Sequence, residues 1–197
     1  MSSFEIAVRS LLGTVFLVSS LSKARDRAAY RGFVRSLAHM RVGPPALDEP
    51  AAKAVLAAEF ATWTLLAVPT GPAGRLGLLL ATLLLAAFTF GIVRTLRRRS
   101  PVTCNCFGLS ATPVGARHVV RNVLLAAAAL GCLAAPATGG PAGTGHALVA
   151  ALAGLATGLI TTALDEIIAL LRPLPDTRTP RAPARPPARP MTEPQES

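Results

Sequence analysis

The sequence predicts an all-α integral membrane protein, a bundle of about five transmembrane helices with an interfacial amphipathic segment after the first. Half of the 197 residues are hydrophobic and 15% are charged, whereas soluble domains carry about a quarter charged residues. Residues 122–164 contain no Asp, Glu, Lys or Arg. That length holds two spans of about 20 residues with a turn between them. Residues 76–93 form a further charge-free apolar run.

The first two predicted elements are a span and a surface helix. Residues 4–21 form the span, where Glu5 and Arg9 pair at i,i+4 spacing. No positive segment precedes this run and no small-residue cleavage site follows it, so we expect a retained span and not a signal peptide. Apolar residues then recur at helical spacing among arginines, as in an interfacial amphipathic helix. These apolar residues are Phe33, Val34, Leu37 and Met40.

Four further spans follow, separated by helix breakers. Pro44 and Pro45 end the amphipathic segment, and linkers rich in Pro and Gly separate the later helices. A Pro- and Arg-rich tail ends the sequence and is predicted to be disordered. The four predicted spans are residues 50–68, 75–96, 115–134 and 146–171.

Basic residues are distributed unequally between the two sides of the predicted bundle. Of the 20 Lys and Arg residues, 18 fall on one side, and Arg9 and Arg75 fall on the other. The positive-inside rule places the basic side in the cytoplasm. The N-terminus is therefore predicted to be outside the cytoplasmic membrane and the C-terminus inside. Membrane topology accounts for the net charge of +10, and without interleaved aromatic residues no nucleic-acid partner is predicted. Membrane lipid is.

Cys104 and Cys106 lie one residue apart in the loop between the third and fourth spans. Such a pair forms a disulfide only in a bent backbone, which Gly108 permits. Strained, accessible disulfides exchange readily, and neighbouring arginines favour the reactive thiolate. The pair is therefore predicted to be a thiol–disulfide exchange site, in which one cysteine attacks and the other resolves the mixed disulfide. The alternative is two buried cysteines that act as small hydrophobes.

No metal site is predicted from the same cysteines. A structural zinc ion takes four Cys or His ligands, and the loop offers two, with His118 as a third. Cys132 lies 14 residues beyond His118 on one helix, about 21 Å away. An iron–sulfur cluster needs four cysteines, and the chain has three. Cys132 is interpreted as a small buried hydrophobe.

Several of these stretches resemble the methylamine-utilisation protein MauE family, which is similar to the wider DoxX-like group of small membrane proteins. They are "CNCFG" at residues 104–108, "RN" at Arg121 and Asn122, "GTVFLVSSLSK" at residues 13–23, and "LAAEF" with Glu59. The resemblance covers roughly residues 8–135. It divides the chain into a MauE/DoxX-like membrane domain (1–135), a fifth transmembrane helix (136–172) and a disordered cytoplasmic tail (173–197).

The resemblance implies thiol–disulfide exchange that supports the redox state or maturation of a thioredoxin-like or exported partner protein. In enzyme terms this is a thiol–disulfide oxidoreductase, with Cys104 and Cys106 as catalytic residues. No cofactor is evident in these residues, and a quinone as electron acceptor is an analogy with other membrane thiol oxidases. Methylamine itself is not implied by them.

The supporting residues are Glu59, Lys23, Arg121 and Asn122. A carboxylate at mid-span normally faces the bundle and has a partner, and Lys23 or Arg121 is the predicted partner of Glu59. Glu59 and its partner then assist proton transfer or thiol exchange, or they form a structural ion pair between two helices. For the whole protein the alternative is a non-catalytic membrane scaffold or assembly factor for a redox complex. Transport of a small molecule or a metal ion would need a polar path through the bundle, and Glu59 is the residue from which such a path could begin.

Overall fold

The computed structural model describes residues 2–40, 44–68, 71–97, 116–135 and 143–171, with side chains up to residue 163. Within these ranges the chain is helical and contains no strand, which confirms the predicted all-α class. A short 3-10 turn, Pro45–Leu47, precedes the third helix. The helices are α1 Ser3–Ala24, α2 Arg27–Met40, α3 Asp48–Ala67, α4 Pro72–Arg97, α5 Ala116–Ala134 and α6 Thr144–Leu171.

Four of these helices are long and apolar enough to cross a membrane: α1, α4, α5 and the Thr144–Ala163 part of α6. The remaining predicted span, residues 50–68, corresponds to α3, which has 20 residues, a length of about 30 Å that matches the hydrocarbon core. It falls outside that set because Asp48, Glu49, Lys53 and Glu59 lower its hydropathy. It nevertheless packs between α1 and α4.

The helices that would span the membrane alternate in direction. Arg9 of α1 bonds to the last residues of α3, whereas Lys23 bonds to Glu59 earlier in α3, so these two helices are antiparallel. Lys23 also lies against Phe88 of α4, while Arg9 lies against Gly74 near the start of α4. Helices α1 and α4 are therefore parallel.

The last two helices continue the alternation. Cys132, near the end of α5, lies within electrostatic range of Glu5 and Arg9, so α5 runs opposite to α1. In α6, Gly154 packs against Ala7 and Gly158 against Leu11, so α6 is parallel to α1. The bundle consequently has a Lys23 end, where α1, α4 and α6 finish, and an Arg9 end, where these three helices begin.

Two glycines set the distance between α1 and α6. A Cβ atom at Gly154 would overlap the carbonyl oxygen of Ala7, and one at Gly158 would lie 2.8 Å from the Cβ of Thr14. Small residues four positions apart let two helix backbones approach closely in lipid, where packing replaces the hydrophobic effect as the driving force. Helix α6 is thus held by its contact with α1.

Helix α2 lies on the bundle near the Lys23 end and contacts α1, α3 and α4. Phe33, Ser36 and Met40 are its buried residues, and the Met40 sulfur would lie 3.0 Å from a Cβ atom at Gly91 of α4. The main core lies between the spans, where Leu12, Val15, Phe16 and Leu85 are fully buried. Because α2 covers the bundle at one end, polar groups of α1 near that end are removed from solvent.

Candidate functional site

A buried ion pair joins α1 to α3. The Lys23 Nζ atom lies 2.5 Å from Glu59 Oε1, and the two side chains are 1% and 0% exposed. Ser19 Oγ donates a hydrogen bond to the same carboxylate oxygen at 3.1 Å. Lys23 Nζ also donates to Ser19 Oγ at 2.7 Å. Three polar side chains from two helices therefore form one closed cluster inside the bundle.

The direction of side chains on a helix explains how Lys23 reaches this position. Side chains on an α-helix lean toward its N-terminus. The Lys23 ammonium group is therefore level with Ser19, one turn earlier in α1, and deeper in the bundle than its own Cα atom. Glu59, near the middle of α3, lies opposite Ser19 because the two helices are antiparallel. The spacing of Ser19 and Lys23 thus creates a pocket for one carboxylate.

Two aromatic rings enclose the Lys23 ammonium group. The centroid of Phe33 from α2 is 4.8 Å from Nζ, and that of Phe88 from α4 is 5.4 Å away. Ring faces attract a cation and replace part of its lost hydration. Helices α1, α2, α3 and α4 all contribute to the environment of this one charge, so it is both electrostatically compensated and shielded from water.

Further polar atoms are buried in this bundle. Asn122 of α5 is 1% exposed, and neither polar atom of its side-chain amide has a hydrogen-bond partner among the described residues. The same holds for Glu59 Oε2, whereas Oε1 accepts from both Lys23 and Ser19. Buried polar atoms without partners are uncommon in folded proteins and are worth a functional explanation. Glu59 and Asn122 are thus supporting residues with unused hydrogen-bonding capacity among the described residues.

The predicted site residues have different outcomes. Glu59 was expected to have a partner, which is confirmed, and of its two predicted partners Lys23 makes the ion pair. Arg121 and Asn122 are consecutive residues near the start of α5. Cys104 and Cys106 lie outside the described residues, so their predicted role stays a prediction.

The helix ends that flank the cysteine segment lie at the Lys23 end. Arg97 ends α4 and Ala116 begins α5. Phe88 precedes Arg97 by nine residues, about 13.5 Å along the helix, and Asn122 follows Ala116 by six residues, about 9 Å. The buried polar residues are therefore within two or three helical turns of the ends from which the cysteine segment departs.

Arg9 occupies a second buried site, at the opposite end. Its predicted pairing with Glu5 is confirmed at 3.7 Å. In addition, Nε and Nη2 donate to the Leu66 carbonyl at 3.2 and 2.8 Å, and Nη2 donates to the Val68 carbonyl. These carbonyls belong to the end of α3, where the helix leaves acceptors unsatisfied. A Cβ atom at Gly74 would lie 2.5 Å from Nη1, so this glycine makes room for the guanidinium group.

Sequence reasoning missed this second role of Arg9. An arginine in an apolar helix and a glycine early in another helix were the available signals, but only the packing of α1, α3 and α4 brings them together. In the same half of the bundle a cavity of about 620 Å³ opens between α1, α3 and α6, lined mainly by apolar residues such as Leu17, Trp63 and Leu155. Its size is in the range of small-molecule sites, and it lies away from the Lys23 end.

The described residues also bear on metal binding. Within these ranges no three His, Cys, Asp or Glu residues are grouped so that they could hold a metal ion. Cys132 is a free, half-buried thiol near the end of α5. It lies near Glu5 and Arg9, at the opposite end of the bundle from the start of α5, where His118 lies.

These features define a class of protein: an α-helical membrane protein with several spans and a buried ion pair between its first and third helices. The family itself follows from comparison with known proteins. The family model described as "Methylamine utilisation protein MauE" matches residues 1–135, which is more than half of the chain, and the chain belongs to this family. Lys23, Glu59, Cys104 and Cys106 lie within the match, whereas α6 lies beyond it. No curated protein and no solved structure matches the chain.

Proposed function

We propose that this membrane protein carries out thiol–disulfide exchange at Cys104 and Cys106, in support of the redox state or maturation of a partner protein. The observation that carries the proposal is the Cys-Asn-Cys pair itself, within the family-matched residues. Its flanking helix ends, Arg97 and Ala116, lie at the end of the bundle that buries the Lys23–Glu59 pair. The packing of α4 against α5 holds both of these helix ends in place.

The exchange proceeds through a mixed disulfide. A thiolate of the partner attacks one sulfur of the Cys104–Cys106 disulfide, and the other sulfur leaves as a thiolate and takes up a proton. The second thiolate of the partner then attacks the mixed disulfide. The partner gains a disulfide, and the Cys104–Cys106 pair gains two electrons and two protons. Each step is reversible, so the reduction potentials of the partners determine the direction.

The proposed partner is a thioredoxin-like protein or an exported redox protein, since a two-cysteine site exchanges with another dithiol. When the pair oxidises its partner, a two-electron acceptor must restore the disulfide. A membrane quinone fits this requirement by chemical class: the dithiol returns to a disulfide as the quinone takes two electrons and two protons to become a quinol. The apolar cavity between α1, α3 and α6 lies away from the Lys23 end, so we do not assign it as the site of this acceptor.

The supporting residues position the helices that flank the pair. The ion pair between Lys23 and Glu59 fixes α1 against α3, and the contact of Lys23 with Phe88 extends this support to α4. Arg121, one turn inside α5, places a positive charge near the start of that helix. A nearby cation favours a thiolate over a thiol. The side-chain amide of Asn122, buried in the Lys23 half of the bundle, can both donate and accept a further hydrogen bond.

The proposed location is the cytoplasmic membrane, with the N-terminus outside and the C-terminus inside. The alternation of α1, α3, α4, α5 and α6 supports five crossings and therefore termini on opposite sides. The excess of Arg and Lys at the Lys23 end supports the orientation, because cytoplasmic loops carry this excess. The exchange site then faces the cytoplasm. Since disulfides are made outside the cytoplasm, a pair in this orientation exchanges with cytosolic thiols and supports an exported partner through a relay of electrons.

Trapping of the mixed disulfide tests the proposal. In a Cys132→Ala background, either Cys104→Ser or Cys106→Ser leaves one cysteine that can attack but cannot complete the exchange. One of these variants is expected to accumulate a partner adduct that a reductant releases, and the Cys104→Ser/Cys106→Ser variant is expected to accumulate none. If this double variant keeps both partner binding and the partner's redox state unchanged, the protein is a scaffold and the proposal is wrong.

A further inference from the structure

The exposed face of α2 carries a row of arginines. Arg27, Arg31 and Arg35 recur every four residues, so they lie on one side of the helix. All three are exposed, while the buried residues of α2 face the bundle. The apolar face of this amphipathic helix is therefore occupied by the protein itself, and the basic face is turned outward.

This positive charge is not neutralised within the helix. The sequence of α2 contains no Asp or Glu. Arg27, Arg31 and Arg35 take part in none of the ion pairs found among the described residues. Arg35 Nε donates to the Arg31 carbonyl at 3.4 Å, a contact that uses one of the five N–H donors of a guanidinium group. Most of the donors on this face are therefore available to an anion.

A pocket is formed where this face meets the start of α3. It has a volume of about 590 Å³, and Arg31 and Arg35 line it together with Ala28, Tyr30, Val34 and Glu49. The carboxylate of Glu49 is itself paired with Lys53 at 2.9 Å, so it does not neutralise the two arginines. The pocket thus combines two guanidinium groups with an apolar wall from Ala28, Val34 and the Tyr30 ring.

We infer that this pocket binds the headgroup of an anionic phospholipid. Guanidinium groups match phosphate oxygens with two parallel hydrogen bonds, and the apolar wall suits the glycerol region that joins a headgroup to its chains. The position supports a lipid as the source of the phosphate, since α2 follows α1 after two residues and lies at the end of a span. Basic segments next to a span are attracted to anionic lipid surfaces. This inference does not depend on the thiol chemistry proposed above.

Lipid titration of the full-length protein tests the inference. The protein in neutral detergent is titrated with phosphatidylglycerol and with phosphatidylcholine of the same acyl chains, and bound lipids are counted by native mass spectrometry. We expect tighter binding of phosphatidylglycerol. Arg31→Gln/Arg35→Gln should weaken that binding roughly 30-fold, which corresponds to ~2 kcal/mol for two arginines near a lipid surface. Binding of phosphatidylcholine should be unchanged.

Two controls separate the pocket from the net charge. Arg178→Gln/Arg181→Gln removes the same charge from the tail, outside the described residues, and is expected to leave the preference intact. Arg31→Lys/Arg35→Lys keeps the charge but loses the paired donors, and should give intermediate binding. Equal binding of the two lipids by the unmodified protein would overturn the inference, and so would an equal loss in the tail variant. Unchanged circular dichroism confirms that each variant is folded.

Discussion

Removing Lys23 should destabilise this protein far more than removing an exposed lysine from the same bundle. In Lys23→Met the Glu59 carboxylate keeps its hydrogen bond from Ser19 but loses the ammonium group 2.5 Å away. Deleting one member of a buried ion pair costs about 3–5 kcal/mol, because the remaining charge is buried without compensation. The contacts of the ammonium group with Phe33 and Phe88 are lost as well, and we count them within that range.

A double variant shows that the cost comes from the orphaned charge. In Lys23→Met/Glu59→Met both charges are gone and the volume is largely kept. Such replacements of buried ion pairs are often neutral or stabilising. The double variant is therefore expected to recover most of the stability lost by Lys23→Met. The resulting coupling energy should be about 3 kcal/mol or more, at the upper end of values for residues in contact.

The assay is unfolding by SDS in mixed micelles, followed by far-UV circular dichroism. Lys53→Met is the matched control, because Lys53 forms an exposed i,i+4 ion pair with Glu49 on the same helix as Glu59. This control should leave the unfolding midpoint almost unchanged, as is usual for surface ion pairs. If Lys23→Met is as mild as Lys53→Met, or if the two substitutions in the double variant are additive, the reasoning about the buried pair is refuted.

Three further substitutions test the remaining contacts, with the same unfolding assay. Arg9→Met should cost about 1–3 kcal/mol, because it leaves two carbonyls at the end of α3 without a donor; an unchanged midpoint would contradict this. Gly154→Ala should cost about 1–3 kcal/mol through overlap with α1, whereas Gly131→Ala, with open space around it, should cost nothing. Asn122→Leu should be neutral or stabilising, and a large loss of stability would show that the amide has a partner.

The helices and the sidedness of their charge were predictable from the sequence because both are local properties. Charge-free runs of membrane length and the prolines between them indicate the spans. The i,i+4 spacing of Glu5 and Arg9 predicts the ion pair between them, because such residues lie on one face of a helix. Glu59 was predictable as a paired residue, since an unpaired carboxylate in an apolar helix is too costly. Its partner was not, because Lys23 and Arg121 are both compatible with the sequence and only the packing of α1 on α3 decides between them.

Contacts between distant helices were not predictable for the same reason. The bond from Arg9 to the end of α3 spans 57 residues of sequence, and the close approach of Gly154 to Ala7 of α1 joins residues that are far apart in the sequence. An amphipathic helix after a span favours an interfacial position, but whether its apolar face contacts lipid or protein depends on the groove available. In α2, Phe33 and Met40 are buried against the bundle.

Thiol labelling in intact cells tests the central claim, that Cys104 and Cys106 form an exchange-active pair. In a Cys132→Ala version these two are the remaining cysteines, so every labelled thiol belongs to the pair. A membrane-permeant maleimide is expected to label two more thiols after reduction than before. An impermeant maleimide is expected to label neither, because the proposed orientation places the pair on the cytoplasmic side. Full labelling of both thiols by the permeant reagent without reduction, unchanged after oxidation, would contradict the account.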